Sequence, residues 1–210
     1  MHAESENLQD YLKKSEIINY DHKLIVEKCL ELQQSTEDEI ILIKKIYEFV
    51  RDEIHHSGDI CAQEVTCVQE VTCSASEVLE AGHGICCAKA HLFAAMLRYF
   101  GVPAGFCYQK LSSSRDVNIK FLHGLNAVYL KDLDKWIRLD ARGNKLGRDA
   151  QFSIYEEKIS KPVNKELGEE DHPVIFTEPN QTVVEILKNS KDLRELWAQW
   201  DLGLRDLFRD

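Results

Sequence analysis

Residues 86–100, CCAKAHLFAAMLRYF, are an almost unbroken apolar stretch, with Gly82-His83-Gly84 just before it and Gly101-Val102-Pro103 just after it. Glycine on both sides and proline beyond the end confine a single helix to that window. Ala88, Leu92, Ala95, Met96 and Tyr99 recur at helical steps, which predicts the central buried helix of the fold. The period then changes. Residues 104–111, 121–130 and 135–140 read as strands, parted by a polar loop at 112–118 and a tight turn at 131–134. A buried helix followed by three consecutive strands predicts an α+β protein whose helix packs on an antiparallel sheet.

Upstream, residues 7–33 read as helical, with Leu24, Ile25, Cys29 and Leu32 on one face. A second helix is expected to run to about residue 54. Ser35 or Thr36 would cap it, since Thr36-Glu37-Asp38-Glu39 places a hydroxyl three residues before an acid and an apolar series from Ile40 to Ile54 follows. Residues 57–74 read as a loop, 76–81 as a short helix, 151 onward as another short helix, 165–172 as an acidic loop and 173–176 as a strand. A final helix ends near Phe208. With 210 residues, one domain is expected: N-terminal helices over 1–56, a core over 57–150 and an extension over 151–210 packing on it.

Composition narrows the function. Hydrophobic residues at 44% describe a folded globular chain. Twenty-six basic against 36 acidic residues give a net charge of −10, which argues against a nucleic-acid partner, since binding phosphates needs a cationic surface. The first residues lack the basic segment and apolar run of a secretory leader, and no window approaches ~18 consecutive apolar residues, so a cytoplasmic protein without a membrane partner is expected. Seven cysteines, an odd number, then read as reduced thiols. The tandem Cys61-Ala62-Gln63-Glu64-Val65-Thr66 and Cys67-Val68-Gln69-Glu70-Val71-Thr72, closed by Cys73, is a local duplication. Its cysteines stand five residues apart, wider than zinc knuckles use. No metal and no cofactor are expected.

One thiol stands in a reactive position. Gly84-Ile85-Cys86 places sulfur at the first turn of the predicted helix, where free N–H groups and the macrodipole favour a thiolate. Such a nucleophile needs a base, normally an imidazole, and a group that orients it. His123 lies in one predicted strand and Asp140 ends the next. A hairpin turn centred between Lys131 and Asp132 sets them directly opposite on one face. With the helix packed on that face, Cys86 would complete a Cys-His-Asp triad.

These residues resemble the transglutaminase-like superfamily of papain-like cysteine enzymes, in a bacterial-type branch. The resemblance rests on Gly84-Ile85-Cys86, Ala90, Leu92-Phe93, Arg98, Gly101-Val102-Pro103-Ala104, His123 leading into Ala127-Val128-Tyr129, and Trp136-Ile137-Arg138-Leu139-Asp140. It implies Cys86 as nucleophile, His123 as base and Asp140 as orienter of an amide-directed acyl transfer through a thioester. Hydrolysis of a peptide, protein or small amide is favoured over cross-linking, with a silent binding or scaffolding module as the alternative. Leu125 stands where many members carry Trp, Ala141 where Pro is common, and no Trp precedes Cys86 to donate to an oxyanion. The backbone N–H of Cys86 is the first expected donor, and Gln63 or Gln69 the second by analogy with papain-like proteases.

The other candidates carry plainer expectations. Cys87 is a weaker rival for the nucleophile because its spacing to Arg98 does not fit. Cys29 and Cys107 read as core, and Trp197 and Trp200 as a packing stripe. His83 reads as a loop residue, and His55 and His56 as the cationic end of a helix. No oligomeric state is specified.

Overall fold

The computed structural model describes residues 1–34, 36–61, 70–113 and 116–208. In chain order the elements are β1 (His2–Ala3), a 3-10 turn (Leu8–Leu12), α1 (Lys23–Gln33), α2 (Glu39–Asp52), β2 (His55–His56), α3 (Ser57–Cys61), α4 (Ala75–Ala81), β3 (His83–Gly84) and α5 (Cys86–Tyr99). Then come β4 (Ala104–Ser112), β5 (Lys120–Leu130), a 3-10 turn (Lys131–Leu133), β6 (Lys135–Leu139), a 3-10 turn (Lys165–Leu167), β7 (Glu170–Asp171), β8 (Val174–Ile175), α6 (Gln181–Asn189) and α7 (Leu193–Leu207). The fold is α+β, with an antiparallel sheet in the order β6-β5-β4-β7. Two parallel two-residue ladders, β1 with β8 and β2 with β3, lie apart from it.

The predicted central helix and the three strands after it form within a residue or two of their expected bounds. From Cys86 to Arg98 every residue of α5 is buried, so the helix has no wet face. Its polar side chains therefore bond to the protein around them. Lys89 Nζ donates to the carbonyls of Ile54 (2.5 Å), Arg142 (2.9 Å) and Arg51 (3.3 Å). His91 Nδ1 lies 2.8 Å from the Cys73 carbonyl. Arg98 donates to the carbonyls of Ala104, Lys13 and Thr177, which fastens both terminal segments to the end of the helix.

The N- and C-terminal expectations need correction. Residues 7–33 are not one helix: the 3-10 turn is capped by the Asn7 side chain, and α1 begins only at Lys23. The cap of α2 is Asp38, whose carboxylate accepts the Ile41 N–H at 2.9 Å, while Thr36 Oγ1 accepts from Asp38 N–H one turn earlier. Ser35 lies outside the described residues. α3 occupies the start of the expected 57–74 loop. The predicted 76–81 helix begins one residue earlier, capped by Ser74 in a reciprocal box with Glu77. The short helix expected from Gln151 does not form, and residues 151–164 carry none. The last helix is two, because Asp192 accepts the N–H groups of Arg194 and Glu195 and starts α7 afresh.

The hairpin register also differs. Asn126 pairs with Leu139 and Leu130 with Lys135, two residues away from the expected alignment. The 3-10 turn with Asp134 at φ 47° lengthens the connection. A two-residue shift keeps the parity, so His123 and Asp140 still share a face, now as diagonal neighbours. That face is not the one α5 covers. A Cβ at Gly124 would lie 2.5 Å from Cys87 Sγ, and Asn126 donates to the Ala90 carbonyl. Residues 124 and 126 therefore face the helix, and His123 faces away. The pairing with β6 stops at Asn126, which leaves the edge of β5 beside His123 and Gly124 free for the first turn of α5.

Replacing Lys89 with methionine keeps the length of the side chain and orphans three carbonyls. Urea unfolding of K89M is expected to show a loss of about 2–4 kcal/mol.

Candidate functional site

Cys86 opens α5 after Ile85, and no side chain caps the helix N-terminus. The first-turn N–H groups, which have no intrahelical acceptor, are thus left to the thiol and whatever it binds. His123 and Asp140 are nearly sealed from solvent, with exposures of 2% and 1%, while Cys86 keeps 8%.

His123 Nε2 lies 2.9 Å from Asp140 Oδ2. The same carboxylate accepts the N–H of Ser160 at 3.0 Å and of Arg142 at 3.1 Å. Burial alone would raise the Asp140 carboxyl, but the His123 charge and these donors hold it well below the usual carboxylate range. Burial likewise opposes charging His123, yet the Asp140 carboxylate and the Cys86 sulfur push it up to about 10. Because Nε2 is taken by Asp140, the nitrogen that hydrogen-bonds Cys86 is Nδ1.

Hydrogen bonding from Cys87 outweighs burial at the Cys86 thiol, and with the His123 charge and hydrogen bonds from His123 and His56 it holds that thiol well below the usual range. The Cys87 thiol, buried beside an anion, is pushed up. Burial pushes the Cys29, Cys73 and Cys107 thiols up to about 12. Among the described cysteines, the lowered thiol is the one at the helix N-terminus. Its lowered charge state and its place at the helix N-terminus are what nucleophilic attack on a carbonyl requires of a thiol.

Sequence reasoning thus brought Cys86, His123 and Asp140 to one place, but it missed His56. His56 is not the frayed end of α2. With His55 it forms β2, which runs parallel to β3 with His56 paired to Gly84, and its ring is near enough to Cys86 to help lower that thiol. A two-residue strand carries no periodicity, so no pattern could have flagged it. His83 is likewise in a strand, its Nδ1 3.1 Å from Ser57 Oγ. Cys29 and Cys107 are core, as expected. Trp200 is buried and donates to the Leu122 carbonyl, whereas Trp197 is 46% exposed. Gln63, Gln69 and Cys67 lie outside the described residues, as does the side chain of Cys61. Among the described residues no cluster of His, Cys, Asp and Glu could hold a metal ion, and no helix is long and apolar enough to cross a membrane.

A family model, the transglutaminase-like superfamily core, matches residues 28–141, more than half of the chain. Similar solved structures include a provisionally named cysteine protease from Cytophaga hutchinsonii, 17% identical over 66% of this chain and 43% of that one, with a TM-score of 0.49. The periplasmic domain of TgpA from Pseudomonas aeruginosa is 15% identical over 64% of this chain and 46% of its own, with a TM-score of 0.44. A provisionally named protease from Parabacteroides distasonis is 12% identical over 74% and 30%, with a TM-score of 0.38. The matched region spans less than half of each of these proteins. No curated protein is significantly similar to the sequence.

The raised His123 contributes stability that is present in full below its ordinary 6.5 and is lost as pH climbs through about 10. The lowered Asp140 contributes stability present above its ordinary 3.8 and lost as pH falls through its depressed value. Alkylation of Cys86 by iodoacetamide, followed on its tryptic peptide, should already be near its full rate at about pH 7. His123→Ala should return that titration toward ~8.5, and Asp140→Asn should shift it in the same direction.

Proposed function

Because the chain belongs to the transglutaminase-like superfamily, we propose that it is a cysteine-dependent acyl-transfer enzyme acting on amide bonds, with Cys86 as nucleophile, His123 as acid and base, and Asp140 as the group that orients His123. The observation that carries this reading is the buried His123–Asp140 pair at 2.9 Å, with the second nitrogen of the same ring left for the thiol that opens α5. Three distant side chains in this order have no packing reason to meet: a buried ion pair is costly unless fully bonded.

In the mechanism, the Cys86 thiolate, its proton already held by His123, adds to the carbonyl carbon. The tetrahedral species collapses to a thioester as the amine departs with the proton from His123. Water, or a second amine, then attacks the thioester with His123 as base. Asp140, fixed by Ser160 and Arg142 N–H, keeps the ring turned and stabilises its charged form. Hydrolysis of a peptide, protein or small amide is the favoured outcome. That preference draws on the sequence, in which nothing resembles the calcium sites and accessory β-domains of animal transglutaminases.

Incubation with p-nitrophenyl acetate should give a burst of nitrophenolate and an acetyl adduct on the Cys86 peptide by mass spectrometry. Peptide and amide libraries should then reveal turnover that falls by on the order of 10³-fold or more in Cys86→Ala. The turnover rate should decline above pH 10, where His123 can no longer protonate the leaving amine. An unlabelled Cys86 and equal activity in wild type and C86A would reduce the chain to a binding module.

A further inference from the structure

Addition of a thiolate to a carbonyl creates an oxyanion, and a site that stabilises it presents aligned donors to that oxygen. The uncapped N-terminus of α5 supplies one, the backbone N–H of Cys86. We propose that His56 supplies the second: a neutral imidazole whose Nε2–H binds the substrate carbonyl oxygen and the oxyanion it becomes. This rests on the acyl-transfer reading of Cys86 and extends it to a residue outside the triad.

Placement comes from the β2–β3 ladder. Pairing His56 with Gly84 sets it beside the segment that leads into the nucleophile, with its ring near enough to the Cys86 sulfur to help lower that thiol. The hydrogen-bond partners of the ring fix its role. Gly58 N–H points at Nδ1 at 3.2 Å, and a backbone N–H can only donate. Nδ1 therefore holds a lone pair, and the proton of the neutral ring sits on Nε2, the nitrogen left to face Cys86. A second proton would break the Gly58 bond and set a buried charge near the Arg142 guanidinium; burial accordingly pushes His56 down. The two imidazoles on one sulfur thus differ: His123, backed by a carboxylate, takes protons, and His56, backed by an amide, only donates a hydrogen bond.

The surroundings hold this donor in place. A Cβ at Gly58 would stand 3.3 Å from His56 Nδ1 and Cε1, so glycine lets the turn close on the ring without displacing it. Asp59 accepts a two-pronged bond from Arg142 at 2.6 and 2.9 Å, which ties the His56 segment to the turn that carries Asp140. His56 is half-buried and lines a surface pocket with Asp59, Ile60 and Arg142, a pocket whose lining does not include Cys86.

During addition, a sulfur electron pair forms the S–C bond and the C=O π pair moves to oxygen, between His56 Nε2–H and Cys86 N–H. On collapse that pair restores C=O, the bond to the leaving group breaks, and the proton Cys86 gave to His123 leaves with it. His56 gives up no proton at any point.

The test compares two reactions of Cys86 in the full chain. Acetylation by p-nitrophenyl acetate forms an oxyanion, whereas alkylation by iodoacetamide, measured at a pH where the thiolate is saturated, forms none. In His56→Leu, acetylation is expected to fall about 10²-fold with KM little changed while alkylation stays within about threefold, and His56→Gln, which keeps an N–H donor, should recover about tenfold of the loss. His56→Phe provides a second donor-free variant if H56L does not fold. Unchanged acetylation in the donor-free variants overturns the proposal, as does alkylation that falls in step with acetylation, which would mean that His56 acts through the thiol alone. Absence of Cys86-dependent acetylation in the wild type is a different result: it removes the acyl-transfer reading itself, and His56 with it.

Discussion

A helix with no face in water has to satisfy its polar groups from the protein around it, and α5 does so, His91 Nε2 excepted, by reaching outward for carbonyls. Lys89 binds three of them, Arg98 three and His91 one. These bonds also position the site. Two of the Lys89 acceptors, Ile54 and Arg142, sit two residues from His56 and Asp140 respectively. One ammonium, a single turn below the thiol, therefore sets how far apart the segments on either side of Cys86 can stand. Its three acceptors reduce the cost of burying that charge without cancelling it, since burial still pushes the Lys89 amine down to about 7, and the first turn of the helix is left uncapped.

The chemistry follows from what lies behind each ring. A carboxylate behind His123 makes the charged imidazolium the favoured form, and a thiolate on the other nitrogen favours it again. An amide N–H behind His56 favours the neutral form. Two identical side chains beside one sulfur are thus biased toward different protonation states by one neighbour each. Cys87 adds to the asymmetry, because its buried thiol remains protonated beside the anion.

Much of this was legible in the sequence. The α5 window was framed by glycines and a proline, the strands after it by a change of period, and the order Cys86, His123, Asp140 by residue type and spacing. What the sequence could not supply was distance between segments. The hairpin slipped by two residues because its connection includes a 3-10 turn, and the pair survived only because strand parity is preserved by an even shift. Helix boundaries at the N-terminus moved because Asn7 and Asp38 compete for N–H groups that periodicity ignores. His56 stayed hidden because its position depends on a two-residue parallel ladder, and its ring state on an N–H two residues away.

Gly124 shows what it would take to move this site elsewhere. Its missing side chain lets β5 come against Cys87, and with alternation it turns His123 to the far side of the strand. A designer grafting Cys86, His123 and Asp140 onto a new scaffold would copy the visible side chains and still fail if an alanine were placed after the histidine, since strand and helix would be wedged apart. The minimal transferable unit therefore includes an atom that is not there, and templates that match side chains alone will overlook it.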